Sequence, residues 1–445
     1  MREDITYIGI ESPHPQTESR VLDLNLNPNG INRIHHAYPQ WQGQKLRISV
    51  QERAYDQEDI DLRNRSLPSP LAAAESDQHA TEMATIIAGA GNSFVTGRGI
   101  APRSKLISSD FALVLPDPDT AFANRKIWVQ NHSYGTSIEN FYGVQAEAFD
   151  QSANRLPRLL HVFSSGNEGE GIPEEGLYQG MASTANLTGN FKMAKNILTV
   201  GATDTTGNVL PFSSRGPAYD GRIKPELVAY SVFGSSNAAA LVSGTSLLLQ
   251  EAYREAFDQY PPSSLLKAAL INSADDVGVP GPDFQSGYGS LNAWGAMQSI
   301  VEKRFVTDSI GANDIKTFML MPVPNARNIH ITLVWNDPAA EAGASQALVN
   351  DLDLSAQLNG DNWYPWRLSS DPDSLLQAAR RGPDHLNNVE QILIDGELNA
   401  PINIEVSATQ LTGSQQSFAI VWEYEIEDHF QWHFPTGSDN MPYNG

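Results

Sequence analysis

The 445-residue chain contains no cysteine. Disulfide frameworks, thiolate metal sites and a cysteine nucleophile are excluded together. Positive charge is scarce: 29 Lys and Arg stand against 52 Asp and Glu, a formal net charge of −23. Such a surface repels phosphate backbones and anionic lipids, which argues against a nucleic-acid partner; a solvated, solubilising surface accounts for the acidity without any bound cation. Long apolar runs are also missing. None approaches the roughly 20 residues of a membrane span, so no span is expected. The opening MREDITYIGI has neither the basic nor the apolar region of a signal peptide, leaving a cytosolic chain or an export already processed.

The length allows two or three domains at roughly 100–200 residues each. Residues 1–44 are polar, carry Pro13, Pro15, Pro28 and Pro39, and show little periodicity, so they read as an arm. Apolar runs then occur at 46–50, 105–113, 127–135, 159–167 and 197–204, each ending in small or turn-forming residues and separated by helix-length segments. That alternation predicts a parallel α/β sheet flanked by helices over 45–304. From Phe305 the texture changes to short β-like runs at 329–335, 351–358, 390–394, 402–408 and 418–426. This predicts a β-sandwich or jelly roll over 305–428. Residues 429–445 read as a tail or a linker to further modules.

Three side chains stand where chemistry can use them. Gly234-Ser235-Ser236-Asn237-Ala238-Ala239-Ala240 offers a serine at a strand-to-helix edge, the presentation a nucleophilic hydroxyl needs. His79 opens the helix expected over 79–90. Asn167 closes a strand in Ser164-Ser165-Gly166-Asn167. In open α/β sheets, reactive groups gather at the carboxyl ends of strands. His132 and His161 fall in or beside strands and read as hydrogen-bonded core residues, and there is no HExxH or other compact transition-metal signature.

Over about residues 45–300 these stretches resemble the subtilase (subtilisin-like) superfamily. His79-Ala80-Thr81-Glu82-Met83-Ala84-Thr85 stands for the histidine motif His-Gly-Thr-His-Val-Ala-Gly and is succeeded by Gly99-Ile100-Ala101-Pro102. Ser133-Tyr134-Gly135 stands for the substrate-lining Ser-Leu-Gly, and Ser164-Ser165-Gly166-Asn167 for the oxyanion motif. Phe212-Ser213-Ser214-Arg215-Gly216-Pro217 is intact, Lys224-Pro225-Glu226-Leu227 also matches, and 234–244 aligns without gaps to the nucleophile motif. Ser246, in Gly244-Thr245-Ser246, spells the family tripeptide but would lie inside the helix. Aligning Asp61-Leu62 with the family's Asp-Leu puts Glu52 at the position of the triad aspartate. Asp56 and Asp59 are rival acids in the loop after it.

The resemblance implies a serine endopeptidase with a Ser236–His79–Glu52 triad and Asn167 as oxyanion donor. Ser133, Tyr134, Gly135, Ser165 and Gly166 would line the substrate, with Tyr134 narrowing or reshaping the wall relative to the family's leucine. The alternative is a weak or inactive pseudo-peptidase serving as a secreted or cell-surface binding or assembly subunit; ester or amide hydrolysis is a third reading. Leu333-Val334-Trp335-Asn336-Asp337-Pro338, 348–354, 387–390 and 416–419 resemble the C-terminal β-barrel of the alkaline branch. The tail at 429–445 resembles those of large secreted bacterial proteins, which implies a secreted or cell-surface, bacterial setting; the family likeness implies a peptide or protein substrate, a possible cell-surface partner through the C-terminal domain, and no cofactor for the chemistry. It also implies structural calcium, with Asn350, Asp351 and Asp353 as candidate oxygen ligands.

Overall fold

The computed structural model describes residues 16–17 and 24–426; the tail expected over 429–445 and most of the first half of the expected arm lie outside the described residues. In chain order the first elements are β1 (Gln16–Thr17), α1 (Ile31–Ala37), β2 (Arg47–Gln51), α2 (Gln78–Ala88), β3 (Lys105–Ser109), α3 (Asp119–Arg125), β4 (Val129–His132) and β5 (Tyr134–Gly135). Then come α4 (Val144–Arg155), β6 (Leu160–Ser164), β7 (Leu198–Thr203), β8 (Leu227–Tyr230), α5 (Ser235–Phe257), α6 (Ser263–Asn272) and α7 (Ala293–Val301). The remainder is β9 (Phe305–Gly311), β10 (Ile315–Leu320), β11 (Ala326–Trp335), β12 (Asp351–Leu358), β13 (Asp361–Trp363), β14 (Trp366–Arg367), β15 (Arg380–Arg381), β16 (Val389–Glu397), β17 (Ile402–Gln410) and β18 (Gln415–Ile426).

Six strands form one parallel sheet in the order β3-β2-β4-β6-β7-β8. Strands β6 and β7 are buried at every residue, as expected for a sheet covered on both faces. From β2 the chain first builds β3 on one side and then returns to build β4 on the other. That reversal opens a crevice at the carboxyl ends of β2 and β4, the place where such sheets bind ligands. Helix α5 lies behind it, buried without a break from Ser235 to Gln250. Its small residues permit close packing: a Cβ on Gly244 would come within 2.7 Å of Ile100 Cβ, so the helix presses on the loop after α2.

The stretch before Gly43, expected to lack regular structure, contains α1. Two turns between Pro28 and Pro39 are too few for a period to show, yet Ile31 and Ile34, three apart, reach the α/β core. The Arg33 guanidinium lies 4.1 Å over the Trp294 ring of α7.

Beyond α7 two antiparallel sheets face one another, β16-β11-β18-β9 and β10-β17-β12-β13. Alternation along β12 and β17 sends Leu352, Leu354, Ile404 and Val406 inward against Ile331, Leu333, Ile392 and Ile420 of the other sheet. Val334, Val389, Ala419 and Val421 point the opposite way and join the α/β core. A wholly buried Lys195–Asp337 ion pair also crosses this junction, with Lys195 Nζ donating further to the carbonyls of Pro338 and Ala347.

Candidate active site

Glu52 comes directly after β2, and its backbone N–H donates to Ser109 O at 2.8 Å, fixing it at the end of the sheet. Across the crevice Asp77 caps α2, its carboxylate accepting from the His79 N–H at 2.7 Å. This holds His79 in the first turn. Glu52 Oε2 and His79 Nδ1 are 2.7 Å apart, with Glu52 wholly buried and His79 only 4% exposed. A charge-assisted bond in so dry a place is strong. It assigns the Nδ1 proton to the carboxylate side and makes Nε2 the basic nitrogen. The rival acids serve their own turn: Asp56 accepts from the Glu58 N–H and Asp59 from the Asp61 N–H.

Ser236 sits in the first turn of α5, after Gly234, whose φ of 151° suits glycine. Its Oγ donates to Ser133 O at 3.2 Å, and its own carbonyl accepts from Ser133 Oγ at 2.9 Å. A buried relay reinforces this. Ser243 Oγ donates to Asn131 Oδ1 and Asn131 Nδ2 donates to Ser133 Oγ, each at 2.9 Å, so the start of α5 is pinned to the end of β4. Ser246 is buried inside α5, where its hydroxyl donates to Val242 O at 2.8 Å.

Asn167 comes after Gly166, at φ 114°, where a Cβ would fall within 2.3 Å of Thr188 Oγ1. The Ser235 N–H donates to Asn167 Oδ1 at 2.9 Å. The amide oxygen therefore faces the helix start, and Nδ2 is the arm that can donate elsewhere. Ser165 and Gly166, expected to line the substrate, form the floor beneath Asn167: Ser165 N–H donates to Val200 O, and Gly166 N–H to Ser235 Oγ at 3.0 Å. Sequence reasoning missed the supporting residues Asp77, Asn131, Ser235 and Ser243. Only Asp77, a capping residue two positions before His79, carried a signal.

The edge at Tyr134–Gly135 is paired with β1 in antiparallel register, Gln16 opposite Gly135 and Thr17 opposite Tyr134. The expectation that Tyr134 narrows the cleft wall is corrected. Its ring is fully buried on the core side among Phe111, Phe163 and Phe191, and its hydroxyl donates to Gln51 Oε1 at 2.9 Å. Burial pushes that phenol well above its usual range. Its neighbour His132, 3.0 Å from the hydroxyl through Nδ1, contacts His161 Nδ1 through Nε2, also at 3.0 Å. Both rings are fully buried, which drives His161 down to about 3 and His132 well below 6.5, so both are neutral at pH 7.

The calcium candidates divide. Asp351 and Asp353 share the outer face of β12 and meet His385. Asn350 does not join them; its Oδ1 accepts from the N–H and hydroxyl of Thr412, and its Nδ2 donates to Gln416. It staples a loop because it precedes the strand, outside the alternation that aligns the two aspartates. Among the described residues no helix is long and apolar enough to cross a membrane.

A family model described as the Subtilase family matches residues 9–289. Two similar proteins come from Dictyostelium discoideum. "Serine protease/ABC transporter B family protein tagA" is 25% identical over 264 residues, which is 47% of this chain and 15% of that protein. The corresponding tagB protein is 25% identical over 316 residues, 51% of this chain and 16% of its own length. The chain thus spans about a sixth of the curated relatives it matches. Among solved structures, the prenylagaramide maturation protease PagA aligns at 22% identity and a TM-score of 0.46, covering 60% of this chain and 98% of that one. A lanthipeptide protease aligns at 19% identity and 0.46, covering 61% and 93%.

Proposed function

Because the chain belongs to the subtilase family of serine peptidases, we propose that it is an endopeptidase acting through an acyl-enzyme on Ser236, with His79 as general base and Glu52 as the orienting acid. The observation that carries this reading is the buried 2.7 Å contact between Glu52 and His79. A glutamate in the usual place of an aspartate still meets the ring. With Nδ1 held by the carboxylate, Nε2 can accept a proton. The Ser236 hydroxyl turns from Ser133 O towards that nitrogen, its proton passes to His79, and Oγ bonds to the scissile carbonyl carbon. The oxygen becomes an oxyanion, for which Asn167 Nδ2 and the Ser236 N–H are the donors at hand. Collapse breaks the C–N bond as His79 gives its proton to the leaving amine. Water then repeats the sequence to free Ser236. The pairing of β1 with Tyr134–Gly135 supports substrate binding as an antiparallel strand on that edge.

The test is labelling with a fluorophosphonate, with the attachment site read by mass spectrometry in the wild type, Ser236→Ala and Ser246→Ala. Labelling lost only in Ser236→Ala is expected. If no folded form is labelled, the endopeptidase reading fails and the chain is instead a binding subunit that retains the cleft.

A further inference from the structure

We propose, on the endopeptidase reading above, that Tyr134 and Gln51 are positioning residues for the reaction, and that the hydrogen bond between them sets the distance from the Glu52–His79 half of the site to the Ser236 half. The two halves stand on strands that diverge at the crevice. Along β2 and β4, Ser49 pairs with Gln130 and Val50 with Asn131. From there β2 continues against β3, with Gln51 opposite Ser109, and Glu52 follows at once. The Tyr134 hydroxyl spans the gap, donating to Gln51 Oε1 at 2.9 Å.

Residues 131–134 act as a plate with two faces, because side chains alternate along an extended chain. Asn131 and Ser133 turn to α5. Asn131 Nδ2 donates to Ser133 Oγ and its Oδ1 accepts from Ser243, while Ser133 holds Ser236 through both its hydroxyl and its carbonyl. His132 and Tyr134 turn the other way, His132 stacked on Phe163 with ring centroids 4.0 Å apart and Tyr134 set edge-on against Phe111. A shift of Tyr134 relative to Gln51 therefore moves Ser133, and with it Ser236, relative to Glu52. A misplacement of about 1 Å at reacting groups, caused from a distance, costs about 10²-fold in rate.

The bond is the last member of a chain that runs in one direction. Gln51 Nε2 donates to Leu115 O at 2.9 Å, so Oε1 is left to accept from Tyr134. The phenol oxygen then accepts from His132 Nδ1, 3.0 Å away. His132 Nε2 accepts from His161 Nδ1 at 3.0 Å, and His161 Nε2 from the Ser152 hydroxyl at 3.3 Å. All five side chains are buried. Turning the Gln51 amide over would bring two oxygens face to face at Leu115, and reversing any other member would leave buried groups opposed. One arrangement is thus specified from α4 through β6 and β4 to the residue before Glu52, with the proton of each imidazole on Nδ1.

The full chain, labelled with ¹⁵N-histidine, would be compared with Tyr134→Phe, Gln51→Met and Tyr142→Phe by NMR at pH 7 and by hydrolysis of a fluorogenic peptide, with thermal melts as the control for folding. His132→Asn and His161→Asn, each losing one ring, assign the buried signals. Both imidazoles of the wild type should carry their proton on Nδ1. In Tyr134→Phe and Gln51→Met, kcat should fall about 10- to 100-fold with KM within about twofold, and the His79 Nδ1 proton signal should shift. Tyr142→Phe removes an equally buried hydroxyl bond, 2.6 Å to Asp150 and outside the chain; it should lower the melting temperature with kcat and the His79 signal unchanged. Unchanged kcat in both relay variants, an equal fall in Tyr142→Phe, or a proton on Nε2 of either buried ring would overturn the proposal. A folded wild type with neither turnover nor fluorophosphonate labelling would defeat the endopeptidase reading instead. The His79 signal needs no turnover and still decides whether Tyr134 and Gln51 set the geometry, an unchanged signal in both variants overturning it.

Discussion

Replacing Glu52 by aspartate should slow the enzyme, although aspartate is the family's usual acid at this position. The wild-type contact to His79 Nδ1 is 2.7 Å. Removing one methylene draws the carboxylate back by about 1.5 Å, to about 4.2 Å, beyond hydrogen-bond reach. A hydrogen bond to a charged group contributes about 1.5–3 kcal/mol, which converts to about a 10- to 150-fold loss in kcat. Glu52→Gln keeps the length but surrenders the charge and the defined tautomer, for which about 10⁴-fold is expected. Hydrolysis of a fluorogenic peptide would give kcat and KM separately, with thermal melts as the control for folding. KM should change little, because the role proposed for Glu52 acts on His79 rather than on the substrate. An aspartate variant equal to or faster than wild type, or a glutamine variant within tenfold of it, would refute the assignment of Glu52 as the orienting acid.

The same geometry sets three further outcomes. Asn167→Ala should lower kcat by about 10²–10³-fold; steady-state kinetics showing only a rise in KM would contradict an oxyanion role. Tyr134→Phe removes the hydroxyl bonded to Gln51 and should cost about 1–3 kcal/mol in denaturant unfolding while leaving cleavage preferences in a peptide library unaltered; a changed preference would return Tyr134 to the cleft wall. His161 takes up no proton until about pH 3 when folded but titrates near 6.5 when unfolded, so unfolding binds a proton between those values. Its stabilising contribution is complete above pH 6.5 and is lost as pH falls towards 3, amounting to about 2 kcal/mol by pH 5. Urea unfolding at pH 7 and pH 5 measures it, and an unchanged midpoint would count against a neutral buried pair.

Legibility in the sequence tracked the range over which each feature is determined. The parallel sheet and the sandwich after it were readable because burial imposes its pattern within a few residues, as in β7 and β12. Glu52 and His79 could be paired because each ends or opens an element whose boundary carries local signals. Tyr134 could not be oriented, since the face a two-residue strand turns to the core depends on the aromatic side chains of Phe111, Phe163 and Phe191, which arrive from elsewhere in the chain. His385 escaped notice for a related reason. A loop shaped by Asp384 carries it to Asp351, 34 positions earlier, and no spacing rule spans that distance.

The strand at Gln16–Thr17 lies on the edge where an extended substrate would pair. Because it is tethered, it competes at an effective concentration on the order of millimolar, whatever the protein concentration. A peptide at micromolar levels can then bind only during the fraction of time the edge is vacant, and its observed affinity is lowered by that fraction. Selectivity would rest partly on this rivalry, favouring peptides that pair along more of the edge than the two-residue strand covers. Dilution would leave the inhibition unchanged, and removing the segment would lower KM most for the shortest substrates.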